Sequence, residues 1–111
     1  MWTVDPAKII TAEAKAAAAT AATLHAFEEA IQAHVDATAR ERTFRDGVTL
    51  ASYVASTNPQ WAAEAQAFVA WRDGIWAYAY GELAKVQDGI REQPAIEDFL
   101  TELPAIVWPT A

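Results

Sequence analysis

The sequence predicts an all-α fold: a long N-terminal alanine-rich helix, a compact helical bundle centred on a Trp-rich helix, and an extended C-terminal tail. Three observations carry this reading. Between Thr11 and Arg42 there is neither Pro nor Gly. Over the same stretch apolar or small residues recur at Ile10, Ala14, Ala17, Ala21, Leu24, Phe27, Ile31, Val35 and Thr38, in steps of three and four, which is the period of a helix face. A second long segment is bracketed by Asn58-Pro59 and Gly89, a start signal and a stop signal.

The first helix is expected from Thr11, a suitable N-cap, to about Arg42. Before it, Pro6 biases Asp5 away from helix. Lys15, Thr23, Glu29 and Asp36 fall on the face opposite the stripe. At 1.5 Å per residue such a helix is roughly 45 Å long, which is long for a chain of 111 residues. It must project or pack along another chain. Ile10, Ala17, Leu24 and Ile31 are spaced by seven, with Thr20, Phe27 and His34 between them, a weak heptad seam whose first turn Glu13 interrupts. The expected partner-binding or oligomerisation residues are therefore Ile10, Ala17, Leu24, Phe27, Ile31, His34 and Val35.

Gly47, in the turn-forming pair Asp46-Gly47, marks the stop after the first helix. Residues 48–55 then read as a short helix capped by Thr49 and burying Leu50, Tyr53 and Val54, with a strand as the competing assignment. Asn58 caps the next helix and Pro59 opens it; it should run to about Asp88. Its main stripe is Trp61, Ala65, Phe68, Ile75, Ala79, Leu83 and Val86, widened by Val69, Trp71, Trp76, Tyr78 and Tyr80. A helix apolar on most sides is either central or exposes a binding patch. Gly74 and Gly81 are expected to admit a close neighbour or a large ring, since each costs about 1 kcal/mol relative to Ala inside a helix. A last helix follows Pro94, from Ala95 to about Leu103, and Pro104 ends it. The tail Ala105-Ile106-Val107-Trp108-Pro109 should dock on the core or on a partner. No repeat and no long linker divides the chain, so one domain is expected over residues 1–111, with 1–42 as the long helical segment and 43–111 as the compact core.

Composition narrows function. Hydrophobic residues make up 53% and charged residues 21%, so the chain is globular rather than disordered. Fifteen acidic and eight basic side chains give a net charge of −7, which disfavours nucleic acid and anionic membrane surfaces as partners. Arg40, Arg42 and Arg45 form a local exception; at a helix end they complement the dipole, and no Gly-rich loop or aromatic platform makes them a phosphate site. There is no cysteine, hence no disulfide or thiolate chemistry. No signal peptide or transmembrane segment is expected.

His25 and His34 lie nine apart, not four, so they do not form a helical metal pair. Ser52 and Ser56 lack a nearby His or Asp in sequence. Neither a catalytic residue, a metal site nor a cofactor is expected. Arg72 and Asp73 are flanked by Trp71 and Trp76; Arg72 is expected to stack on an indole, and Asp73 to pair with an arginine or cap a segment. With Trp61 and Phe68 these residues form either a structural cluster or a patch for a small ligand or carbohydrate.

One ordered string of residues goes further. It runs Ala39-Arg40-Glu41-Arg42, Ala51-Ser52-Tyr53, Asn58-Pro59, Glu64-Ala65, then Ala70-Trp71-Arg72-Asp73 with Trp76. It closes on Gly89, Pro94, Leu103-Pro104 and Trp108-Pro109. Over residues 39–109 this resembles small proteins of tailed bacteriophages and prophages, encoded in the tail region and often beside tail-fibre genes. The alanine-rich helix is not covered. The resemblance implies a tail-fibre assembly chaperone or a small virion tail component, partnered by a tail or fibre chain or by itself as a homo-oligomer. It places the protein in the host cytoplasm during assembly, with the virion tail as the second location. It brings no catalytic residues.

Overall fold

The computed structural model describes residues 12–110, and four helices order them: α1 (Ala12–Arg40), α2 (Gly47–Ala51), α3 (Pro59–Gln87) and α4 (Ile96–Glu102). Among the described residues there is no strand, so the all-α expectation holds. Ile10 and the cap expected at Thr11 lie outside the described residues.

α3 begins as its sequence dictates. Asn58 is extended, and its side-chain oxygen accepts from the backbone N–H of Gln60 at 3.0 Å and of Trp61 at 3.2 Å. These are two donors that have no partner inside the helix. Pro59 needs no such partner. The helix ends in a Schellman closure: Ile90 N–H donates to Lys85 O at 2.9 Å and Gly89 N–H to Val86 O at 3.1 Å. Gly89 sits at φ +74, a conformation that favours glycine.

α2 corrects the expected register. The cap is Asp46, not Thr49: Asp46 accepts from Thr49 N–H at 2.8 Å, and Gly47 is the first helical residue. With the cap three residues earlier, Leu50 turns into the core and Val48 and Val54 are left exposed, with Tyr53 half-buried. Gly47 is required by close approach. A Cβ there would lie 3.1 Å from the Phe68 ring, 3.1 Å from Asp36 Oδ1 and 3.3 Å from a Val35 methyl. Gly47 N–H donates to Asp36 Oδ1 at 2.9 Å, so Asp36 stands at the edge of the packed face rather than opposite it.

α1 and α3 run antiparallel. Val35 and Phe68 meet at Gly47, and the His34 and Trp71 rings are 5.8 Å apart. Leu24 and Phe27 face Leu83 and Val86 at the other end. α4 closes the third side, where Phe99 meets Phe27 edge-to-face at 5.5 Å and stacks on Tyr78 at 6.0 Å. Phe27, Ile31, Val35, Ala39, Leu50, Ala65, Phe68, Ile75, Ala79 and Phe99 are all within 2% of full burial. Burying each large side chain stabilises by roughly 1.5–3 kcal/mol. Thr38, also buried, gives its hydroxyl to His34 O at 2.9 Å.

The tail docks back on this core. Leu103 is buried, Ile106 and Trp108 are half-buried, and Val107 between them is exposed, the alternation of an extended chain. The radius of gyration is 19.6 Å, against about 13 Å for a compact chain of 100 residues. Residues Ala12 to Ala22 of α1 are all exposed.

Candidate functional site: the uncovered half of α1

The seam expected to bind a partner divides in two. Phe27, Ile31 and Val35 are buried in the chain's own core and are not available to another chain. The reason is that α3 and α4 supply the apolar surface that the sequence reading assigned to a partner. His34 is half-buried beside Trp71, tilted by 53°. Leu24 is half-buried and Ala17 is exposed.

The face that carries Phe27 and Ile31 continues toward the N-terminus through Leu24, Ala21 and Ala17, past the point where α3 stops. At that junction lies a groove of about 640 Å³. Its floor is Leu24, Phe27, Leu83 and Val86, and its rim Thr20, Thr23, Gln87 and Gln93. Thr20 already gives its hydroxyl to Ala16 O at 3.0 Å. The surface is small-residue, nearly uncharged and helical, which permits close approach of another backbone. Among the described residues of this stretch only Glu13 and Lys15 are charged before His25.

The Trp-rich helix does not gather its predicted patch into one place. Trp71 packs on Phe68 at 5.8 Å and its indole N–H donates to Pro104 O at 2.7 Å, tying the tail to α3. Arg72 does not stack on an indole: its Nε and Nη2 reach Asp73 Oδ1 at 3.1 and 2.9 Å, so adjacent residues satisfy each other. Trp76 stacks on Tyr80 at 5.5 Å, and Trp61, 48% exposed, meets Tyr53 edge-on at 5.8 Å. The cation–π contacts fall elsewhere, with the Arg42 guanidinium 5.0 Å from the Trp108 ring and that of Arg91 5.6 Å from Phe99. Gly74 and Gly81 admit no neighbour: beyond the local backbone of α3, no atom lies within 4 Å of a Cβ built on either.

Sequence reading missed an ionic clamp. Arg91 Nη1 pairs with Glu82 at 3.0 Å and Nη2 with Glu102, while Tyr78 donates to Glu102 at 2.6 Å. Arg91 lies on the loop after α3, so no helical spacing announces the cluster. Hydrogen bonds from Arg91 and then Tyr78 hold the Glu102 carboxyl below its usual range. Glu82 is held low by Lys85 and Arg91. Glu102 pushes the Tyr78 phenol up, by hydrogen bonding and by charge. The clamp joins α3, the loop and α4, and is structural in placement.

The serines and the more N-terminal of the two histidines make local contacts. The Ser52 hydroxyl donates to Thr49 O at 2.6 Å and Ser56 Oγ accepts from Asn58 N–H at 3.1 Å, both turn contacts. His25 meets Glu29 at 3.3 Å on the surface. Among the described residues no group of three His, Cys, Asp or Glu is placed to hold a metal ion. No helix among them is long and apolar enough to cross a membrane. Comparison with protein-family models, with curated proteins and with solved structures finds no match to this chain.

Proposed function

We propose that the chain is a non-enzymatic binding protein that takes a helical segment of another chain onto the uncovered N-terminal half of α1. The observation that carries this is the continuation of the core face through half-buried Leu24 to Ala21 and Ala17, which are exposed beyond the end of α3, next to the groove. A helical stretch of about 12 residues without tertiary packing is marginal in water. A partner helix would complete the bundle there, with half-buried Leu24 and Val86 as the apolar anchors. The net charge of −7 keeps the unbound protein soluble.

The resemblance over residues 39–109 supports a setting in phage tail morphogenesis, as a tail-fibre assembly chaperone or a small virion tail component. The partner in this reading is a tail or tail-fibre polypeptide. Co-expression with the tail-fibre polypeptide of the same phage should give a complex that survives size exclusion. The double variant Ala17→Glu, Ala21→Arg keeps the helix, because the pair sits at i,i+4, and should abolish the complex. Wild-type protein eluting apart from the fibre chain contradicts the proposal, as does a complex indifferent to the two substitutions.

A further inference from the structure

Far from the α1 groove, a second cleft of about 510 Å³ opens where α1 ends. Phe44, Tyr53 and Trp61 wall it, and Glu41, Arg42 and Glu64 supply its charge. The three rings form a ladder, Phe44 to Tyr53 at 5.2 Å and 60°, Tyr53 to Trp61 at 5.8 Å and 87°. Glu64 stands out. It is 7% exposed, the one buried carboxylate among the described residues, and it is the carboxylate on the cleft wall that α3 provides.

A buried carboxylate ordinarily keeps a cation beside it. Glu64 instead accepts from the neutral side-chain amide of Gln60 at 2.7 Å. Among the described residues no Lys, Arg or His lies within ion-pair distance of it. Arg42, the cation in the lining, spreads over Trp108 at 5.0 Å. Two carboxylates against one guanidinium leave the cleft net negative. The faces of aromatic rings add further attraction for a cation.

We infer that this cleft is a receptor for a basic side chain, an arginine or lysine presented by a partner protein, with Glu64 as its counter-ion and Tyr53 and Trp61 as its walls. The cleft suits a protruding side chain rather than an enclosed metabolite, because Glu41 and Trp61 at its edge are open to solvent. The assignment stands apart from the α1 groove. Leu24 and Glu41 are 17 residues apart along the helix and its end, about 25 Å, so either surface can fail without the other.

The test is a titration of the whole protein followed in ¹H–¹⁵N spectra, read at the Trp61 indole and the Gln60 side-chain amide. The probes are N-acetyl-arginine methylamide, N-acetyl-lysine methylamide and, as the neutral isostere, N-acetyl-citrulline methylamide. At least one cationic probe should move both signals saturably, and citrulline should leave them in place. Glu64→Gln should weaken that binding by about fivefold or more, since a charge-assisted contact becomes neutral. If Glu64→Gln does not fold, Trp61→Ala, read at the Gln60 amide, should weaken it as well. Equal response to citrulline, no response to either cation, or an unchanged affinity in the folded variant overturns the inference. Tetramethylammonium binding more tightly than either amino-acid probe overturns the assignment to a partner's side chain.

Discussion

The indole N–H of Trp71 donates to the carbonyl oxygen of Pro104, 33 residues away, at 2.7 Å. That bond fixes the start of the C-terminal tail against the middle of α3. From there Ile106 and Trp108 lie along the bundle, and Arg42 from the end of α1 covers Trp108. The Trp-rich helix is therefore a scaffold that the rest of the chain wraps. Trp71→Phe keeps one aromatic ring beside Phe68 but removes the donor. It should cost about 0.5–1.5 kcal/mol, read as a lower urea midpoint with an unchanged slope.

Gly47 is the tightest point of the core. Its missing Cβ leaves room for Phe68 and Val35, both fully buried, and for Asp36 Oδ1. Gly47→Ala overpacks that point and should destabilise by about 1–3 kcal/mol. Thermal unfolding of the variant checks this.

The two glycines inside α3 behave in the opposite sense. Beyond the local backbone of α3, nothing lies within 4 Å of a Cβ at Gly74 or Gly81, and both sit in a helix interior. Gly74→Ala and Gly81→Ala should each stabilise by up to about 1 kcal/mol. The same unfolding measurement reports it, with additive effects, because the sites are two turns apart on an open face.

The clamp around Arg91 sets a pH dependence. The carboxyls of Glu82 and Glu102 are lowered in the fold from 4.5. A lowered folded pKa means that the unfolded chain takes up protons first. The contribution is complete above about pH 4.5 and disappears as pH falls through the folded values. The Tyr78 phenol is raised from 10.0, so its contribution is complete below pH 10 and disappears as pH rises past it. Denaturant midpoints between pH 7 and pH 3 should fall in the wild type. Arg91→Met should lower the midpoint at pH 7 and flatten the acid side of the profile.

Sequence alone made the helices legible wherever a local signal sufficed. Asn58-Pro59 and Gly89 bound α3 because capping and left-handed closure act within a few residues. The period of α1 was legible for the same reason, but its destination was not. A stripe through Leu24, Phe27, Ile31 and Val35 looks the same whether α3 or another chain covers it. Only the fold shows that cover reaches Phe27 and stops near Leu24. α2 was misplaced because Asp46 and Thr49 are both good caps, and the contact of Gly47 with Val35 and Phe68 decided between them. The Arg91 clamp and the Glu64 cleft draw residues from separate elements, and no spacing along the chain brings them together.

The claim on which the functional account turns is that the N-terminal half of α1 is the binding surface. Hydrogen–deuterium exchange along α1, in the free protein and in the complex with the co-expressed tail-fibre chain, tests it most directly. In the free protein the amides of Ala16 to Thr23 should exchange far faster than those of Ile31 to Ala39. In the complex they should become protected, together with the Leu83 to Gln87 end of α3. A complex that forms while Ala16 to Thr23 exchange as fast as before would contradict the account.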